Sequence, residues 1–191
     1  MKEELFISIL KKNKNLMDVL DYIDSLNMPN YYIASGALFQ TIWNYYDNKD
    51  LNYGIKDIDV IYYDNSNITV EKDLKYYELI KEYVDKKGYK YGVDVSNEAR
   101  MHLYRKKKYG IETKPYKSSE DAIKRWLATI NCVGIRKENG KYKVYAPYGL
   151  DDIFNKIVRP LKKEENAKDI YYEKVKSWQE RFDNLKVIDW E

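Results

Sequence analysis

Cysteine and histidine are almost missing from this chain of 191 residues, with one of each, Cys132 and His102. A single thiol excludes an internal disulfide and a thiolate zinc site. A single imidazole excludes a His-rich metal centre. Cys132 lacks the setting of an activated thiol and reads as a small buried residue. No apolar run approaches the roughly 20 residues that span a bilayer. The opening Met1-Lys2-Glu3-Glu4 is acidic, and Leu5 to Leu10 is too short and too polar for a signal-peptide core. The expectation is a reduced, soluble, cytoplasmic protein without a membrane partner. A charge excess of one sign is also missing: 34 Lys plus Arg stand against 31 Asp plus Glu, a net of +3. Arginine is scarce, 6 against 28 Lys, which reads as base-composition bias and not as chemistry.

What is present points to a folded core. The chain is 44% hydrophobic and carries 29 aromatic residues, 21 of them tyrosine. Chains of this size bury roughly 70% of their unfolded surface. There is no internal repeat and no low-complexity linker, so one domain over 1–191 is expected. The near-neutral total averages opposed regions. Residues 50–98 carry a net of −4, residues 100–143 a net of +9, and the two outer stretches −1 each.

Periodicity divides the chain into alternating elements. Leu16, Val19, Leu20 and Ile23 recur at helical spacing, as do Leu5, Ile9 and Leu10, with a polar break at 12–15. Tyr31-Tyr32-Ile33-Ala34 reads as a short strand. Ser35-Gly36 follows, then a helix over 37–46. Residues 55–63 form a strong β-branched strand. A helix over 71–87 stops at Gly88, and 89–95 is a further strand. The stretch 97–104 fits either a loop or a short helix. A helix is expected from Ser118 or Ser119 to about Ile130. Residues 133–138 and 141–146 pair as a hairpin around Asn139-Gly140. Asp151 begins a short helix that Pro160 ends, and a last helix covers about 169–182. Interleaved strands and helices make the fold class α/β or α+β.

The segment with chemistry is Asp57-Ile58-Asp59-Val60. Side chains alternate along a strand, so Asp57 and Asp59 share one face while Ile58 and Val60 face the core. Two carboxylates this close repel unless a cation lies between them, and a hard divalent ion such as Mg²⁺ is the natural partner. Asp94, between Val93 and Val95, alternates out of a core face in the same way. On a neighbouring strand it would complete a three-carboxylate cluster able to hold two metals. Ser35-Gly36 sits at a strand-to-helix junction, where glycine allows close approach and a helix start offers free N–H groups to phosphate.

This order of strand, Ser-Gly turn, helix and Asp-x-Asp strand resembles the DNA polymerase β-like nucleotidyltransferase superfamily. Asn97-Glu98-Ala99-Arg100-Met101-His102, Pro115-Tyr116 with Ser118-Ser119-Glu120, Tyr145-Ala146-Pro147-Tyr148-Gly149-Leu150-Asp151-Asp152 and Val158-Arg159-Pro160 look like a small bacterial group within it. The resemblance covers about 30–190. It implies a small mixed β-sheet flanked by helices, with an N-terminal helical segment 1–28, a catalytic core 29–96, and a hairpin with helices over 97–191. It further implies a metal-dependent enzyme moving a nucleoside monophosphate from a nucleoside triphosphate such as ATP to a hydroxyl acceptor. Asp57 and Asp59 match the metal pair, with Mg²⁺ or Mn²⁺ as cofactor, and Asp94 the third carboxylate. Gly36 matches the glycine of the phosphate turn, although the order here is Ser-Gly where Gly-Ser or Gly-Gly is common. Twenty residues separate Gly36 from Asp57, a long spacing.

Arg100 follows the Asp94 strand and reads as a triphosphate or acceptor contact, or else as a structural ion pair. Trp126 reads as core, and Arg136 and Arg159 as weaker site candidates. The acceptor stays open among a small molecule, a protein and RNA, including an RNA-directed toxin that extends a tRNA end. The alternative is a catalytically inactive nucleotide- or RNA-binding module of the same fold.

Overall fold

The computed structural model describes residues 1–191, apart from the side chain of Tyr109. Two helices lead, α1 (Lys2–Leu10) and α2 (Lys14–Ser25), divided at the polar break where the Asn13 side chain caps α2 through the Leu16 amide. Strand β1 (Tyr32–Ala34) runs into α3 (Gly36–Tyr46), and β2 (Asp57–Tyr62) is followed by α4 (Val70–Lys86) and β3 (Gly92–Asn97). The undecided stretch is a single 3₁₀ turn, Glu98–Arg100, leading into α5 (Met101–Tyr109). Next come α6 (Ser119–Ile123), the hairpin β4 (Gly134–Glu138) and β5 (Lys141–Tyr145), and α7 (Asp151–Phe154). The chain ends with β6 (Ile157–Val158), α8 (Lys168–Gln179) and β7 (Lys186–Val187).

Five strands form one sheet in the order β3-β2-β1-β4-β5. Only β2 and β3 pair in parallel, because α4 provides the crossover between them. The other neighbours are antiparallel. The expected small mixed sheet flanked by helices is therefore present. On its inner face Ile33, Ile58, Val60, Val95 and Ile135 are buried and join Phe39, Ile42 and Trp43 of α3 in the main core.

Two expectations fail locally. The helix from Ser118 stops at Ile123 instead of Ile130. The chain beyond it is drawn against residues 159–161: the Thr129 amide donates to the Arg159 carbonyl at 3.0 Å and the Leu161 amide to the Leu127 carbonyl at 2.8 Å. The Asn166 amide group also donates to the Arg125, Trp126 and Leu161 carbonyls, taking acceptors that a helix would use. The helix at Asp151 likewise ends at Phe154, before Pro160. Lys156 turns the chain at φ 54, and 157–158 enter the small parallel pair β6-β7.

The 20-residue spacing between Gly36 and Asp57 is filled by α3 and an ordered loop. Asn13 Nδ2 donates to Thr41 Oγ1 and to the Leu51 carbonyl, and Asn44 Nδ2 to the Leu51 and Tyr53 carbonyls. Buried amides thus fix the loop that delivers β2 to the site. Helix α8 is anchored by aromatic contacts: Trp178 meets Phe39 edge-on at 5.6 Å, and Phe182 meets Trp43 at 5.2 Å. Each such contact adds roughly 0.5–1.5 kcal/mol beyond burial.

Candidate functional site

Strand register brings three carboxylates onto one face. Asp59 lies opposite Asp94 in the parallel pair, and Asp57 lies two residues before Asp59, opposite Gly92. Paired residues point to the same side of a sheet. On the other flank Asp59 faces Ala34 of β1, whose next residues are Ser35 and Gly36. Asp57, Asp59, Ser35 and Gly36 therefore border one cavity of about 430 Å³, a size suited to a nucleotide-sized ligand.

The turn at Ser35 has an unusual backbone. Its φ of 58 and ψ of −121 belong to a conformation that glycine favours, occupied here by serine. Strain of this kind costs roughly 1–3 kcal/mol and needs support from its surroundings. Support is present: the Ser35 amide donates to the Val133 carbonyl at 2.9 Å, and Asn131 Nδ2 donates to Ser35 Oγ at 3.0 Å. The inverted Ser-Gly order thus puts the strain on the serine. Gly36 then begins α3, with space kept open beside the carboxylate. A Cβ at 36 would lie 2.9 Å from Gln40 Nε2 and 4.0 Å from Asp59 Oδ2.

Crowding perturbs the acids. Burial, then Asp57 and Asp94, push the Asp59 carboxyl up to about 7, against the opposing pull of Lys174 and the Gly36 amide. Asp94 is also raised, first by the protein packed around it and then by Asp57, although its side chain still reaches solvent. Glu98, buried just past β3, is pushed up to about 8 by burial, with Arg105 opposing. A carboxyl held at such values has a neighbouring cation as its natural missing partner.

Cations line the same cavity. Lys56, Arg105, Lys174 and Arg181 border it. Lys174, Ser177 and Trp178 lie on one face of α8, and Arg181 follows in the next turn. Arg181 Nη1 donates to Gln40 Oε1 at 3.0 Å and to the Gly54 carbonyl, so its guanidinium is braced against α3. Arg105 Nη1 donates to the Glu165 carbonyl at 2.9 Å, while its Nε is buried with no hydrogen-bond partner among the described residues. Trp126 and Leu127 form part of the far wall. Trp126 packs against the smaller core cluster around Ile123 and Cys132, as the sequence suggested, and also borders the cavity.

Arg100 is placed elsewhere. Its Nη1 pairs with Asp73 Oδ2 at 2.8 Å, and Tyr62 donates to Asp73 Oδ1 at 2.6 Å. Arg100 lines a second cavity, of about 340 Å³, together with Asp94, so the structural ion pair is the reading that its contacts match. Arg136 is engaged by Glu120 and Glu138, and Arg159 by Asp152, both among residues outside the main cavity.

Two carboxylates on a rigid strand, with substrate phosphates to complete the shell, suit Mg²⁺ or Mn²⁺, which seldom take an all-protein cage. Among the described residues no three His, Cys, Asp or Glu side chains converge as a ready-made metal site. Asp57, Asp59 and Asp94 share one face because β2 and β3 are neighbours in the sheet.

A mixed sheet with an Asp-x-Asp strand beside a strand-to-helix Ser-Gly turn is the arrangement that the sequence resemblance implied. The sequence model of the nucleotidyltransferase family matches residues 21–187, and the chain belongs to that family. A solved NMR structure, described as revealing a CCA-adding enzyme head domain, is similar at 28% identity and a TM-score of 0.76. The match covers 95% of this chain and 94% of that one. No curated protein matches the sequence. The chain is a nucleotidyltransferase of mixed α/β fold. Among the described residues no helix is long and apolar enough to cross a membrane.

Proposed function

We propose that the main cavity binds a nucleoside triphosphate and that the carboxylate face transfers its nucleoside monophosphate to a hydroxyl acceptor. The observation that carries this reading is the opposition of Asp57 and Asp59 to four cations across one cavity that also contains the Ser35-Gly36 turn. The Gly36 amide faces Asp59, and Leu38 and Phe39 donate to the Ser35 carbonyl, so what the start of α3 offers a phosphate is chiefly the positive end of the helix. Lys174 and Arg181 neutralise the phosphates from the α8 side. Trp126 offers an aromatic surface for the base. When bound, a divalent ion held by Asp57 and Asp59 supplies charge neutralisation between the carboxylates and the triphosphate.

In the transfer, the acceptor oxygen bonds to the α-phosphorus as the bond to the bridging oxygen breaks, and pyrophosphate leaves. The acceptor's proton passes to a carboxylate, for which Asp94, opposite Asp59 on the same face, is the candidate. Positioning and charge stabilisation account for most of the expected rate.

Lys174→Ala and Arg181→Ala test the donor site, measured as nucleotide affinity by calorimetry. Each should weaken binding about tenfold or more, the loss of one charge-assisted contact. Unchanged affinity in both would remove the donor assignment.

A further inference from the structure

Gln40 is only 6% exposed, borders the main cavity, and has half of its side-chain amide unused. It stands one turn beyond Gly36 on α3. Its Oε1 accepts from Arg181 Nη1 at 3.0 Å. A guanidinium only donates, so this bond fixes which end of the amide is oxygen. Nε2 faces the other way, over Gly36, where it would lie 2.9 Å from a Cβ at that position. Among the described residues Nε2 has no hydrogen-bond partner. A buried donor left in this way is costly until a ligand satisfies it. Arg181 is itself held firmly: it donates to the Gly54 carbonyl, to the Ser177 carbonyl at 2.9 Å and to Ser177 Oγ at 3.5 Å. Most of its N–H groups are therefore spent on the protein, and it orients Gln40 as a fixed brace.

We infer that Gln40 Nε2 is a phosphate ligand, donating to a non-bridging oxygen of a polyphosphate chain that lies over Gly36, and that Arg181 is the residue that positions it. The inference rests on the donor reading for the main cavity. The start of α3 has use for such a donor, because the amides of Gly36, Leu38 and Phe39 are already engaged by Asp59 and the Ser35 carbonyl. The helix end keeps its positive character, and Gln40 supplies an N–H group that the backbone there does not. The glycine at 36 has the same explanation. A side chain there would press on Gln40 Nε2 and fill the space between that donor and Asp59 Oδ2, which is 4.0 Å from the same Cβ position. The space over Gly36 is thus bounded by an N–H donor on one side and a carboxylate on the other.

The test exploits the scarcity of glutamine. The chain has two, Gln40 and Gln179, and Gln179 is exposed at the end of α8. With glutamine side chains labelled with ¹⁵N, the full chain gives one amide signal pair from each, and Gln40→Met identifies the Gln40 pair by removing it. ATP and inorganic tripolyphosphate, each with Mg²⁺, should both move the Gln40 pair and leave the Gln179 pair in place. Adenosine, which has no phosphate, should move neither. Gln40→Met should weaken ATP and tripolyphosphate about tenfold by calorimetry, the loss of one charge-assisted contact. If Gln40→Met does not fold, Gln40→Glu, which keeps an acceptor for Arg181, makes the same assignment and should also weaken both. ATP binding that leaves the Gln40 pair unmoved overturns the inference, even where Gln40→Met loses affinity, because that loss then comes from a loosened Arg181. If tripolyphosphate moves the Gln40 pair while ATP does not bind, the nucleotide reading falls and the phosphate contact stands. Binding of neither probe overturns both.

Discussion

Replacing Asp59 by Asn should stabilise the protein while removing its activity. Burial, Asp57 and Asp94 hold the Asp59 carboxyl at about 7, against an ordinary value of 3.8. A carboxyl raised on folding contributes its stability below the unfolded value and loses it as pH rises through the folded one. The parent therefore forfeits stability from about pH 4 to about pH 7. Asparagine has no charge to desolvate, and its side-chain oxygen still accepts from the Gly36 amide. The gain of Asp59→Asn over the parent should then be roughly 0.5 kcal/mol at pH 4, rising toward a ceiling of about 4 kcal/mol at pH 8. Partial exposure of Asp59 makes about 2 kcal/mol the working expectation. The assay is urea unfolding at pH 4, 6 and 8 in the presence of a chelator, followed by the fluorescence of the four tryptophans. A gain that does not grow between pH 4 and pH 8 would refute the crowding argument, whatever happens to activity.

The remaining predictions concern the turn and the buried groups around it. Ser35→Gly should raise stability by about 1 kcal/mol, because glycine adopts φ 58 and ψ −121 freely and only the Asn131 contact is lost; a lower melting temperature would contradict this. Glu98→Gln should stabilise the protein increasingly between about pH 5 and pH 8, since burial raises the Glu98 carboxyl to about 8; a pH-independent difference in urea midpoints would exclude that cause. Gly134→Ala should cost about 2 kcal/mol, because the new Cβ would stand 2.9 Å from Tyr32 Cδ1 and 3.0 Å from Ile123 Cδ1; unchanged stability would mean that β1 and α6 can move apart.

Much of the fold was legible because it is local. The Asn13 break, the β-branched run at 57–62, the Gly88 stop and the Asn139-Gly140 hairpin each state their structure within a few residues. The register of Asp94 against Asp59 was only conditional in the sequence, since alternation gives a face and not a neighbour. The helix expected to Ile130 failed because Asn166 and the segment 159–161, some 30 to 40 residues away, take its backbone groups. The two-residue strands β6 and β7 carry no pattern that sequence can show.

Within the candidate site, the carboxylates and the Ser-Gly turn were visible through spacing. Lys174 and Arg181 were not singled out. Their helical repeat with Ser177 and Trp178 is in the sequence, but nothing local says that this face of α8 turns toward the site. The Phe39–Trp178 and Trp43–Phe182 contacts decide that. Arg100 stayed open between a ligand contact and an ion pair for the converse reason: nearness to Asp94 in sequence gave no hint that Asp73, on α4, takes its charge.

Nucleotide transfer itself is tested most directly with α-labelled nucleoside triphosphates, Mg²⁺ and a mixed pool of RNA, protein and small hydroxylated acceptors, following both label incorporation and pyrophosphate release. The parent should release pyrophosphate in step with covalent incorporation, and Asp59→Asn should do neither while staying folded. Tight nucleotide binding by the parent with no pyrophosphate above the Asp59→Asn background would contradict an enzyme and leave a binding module.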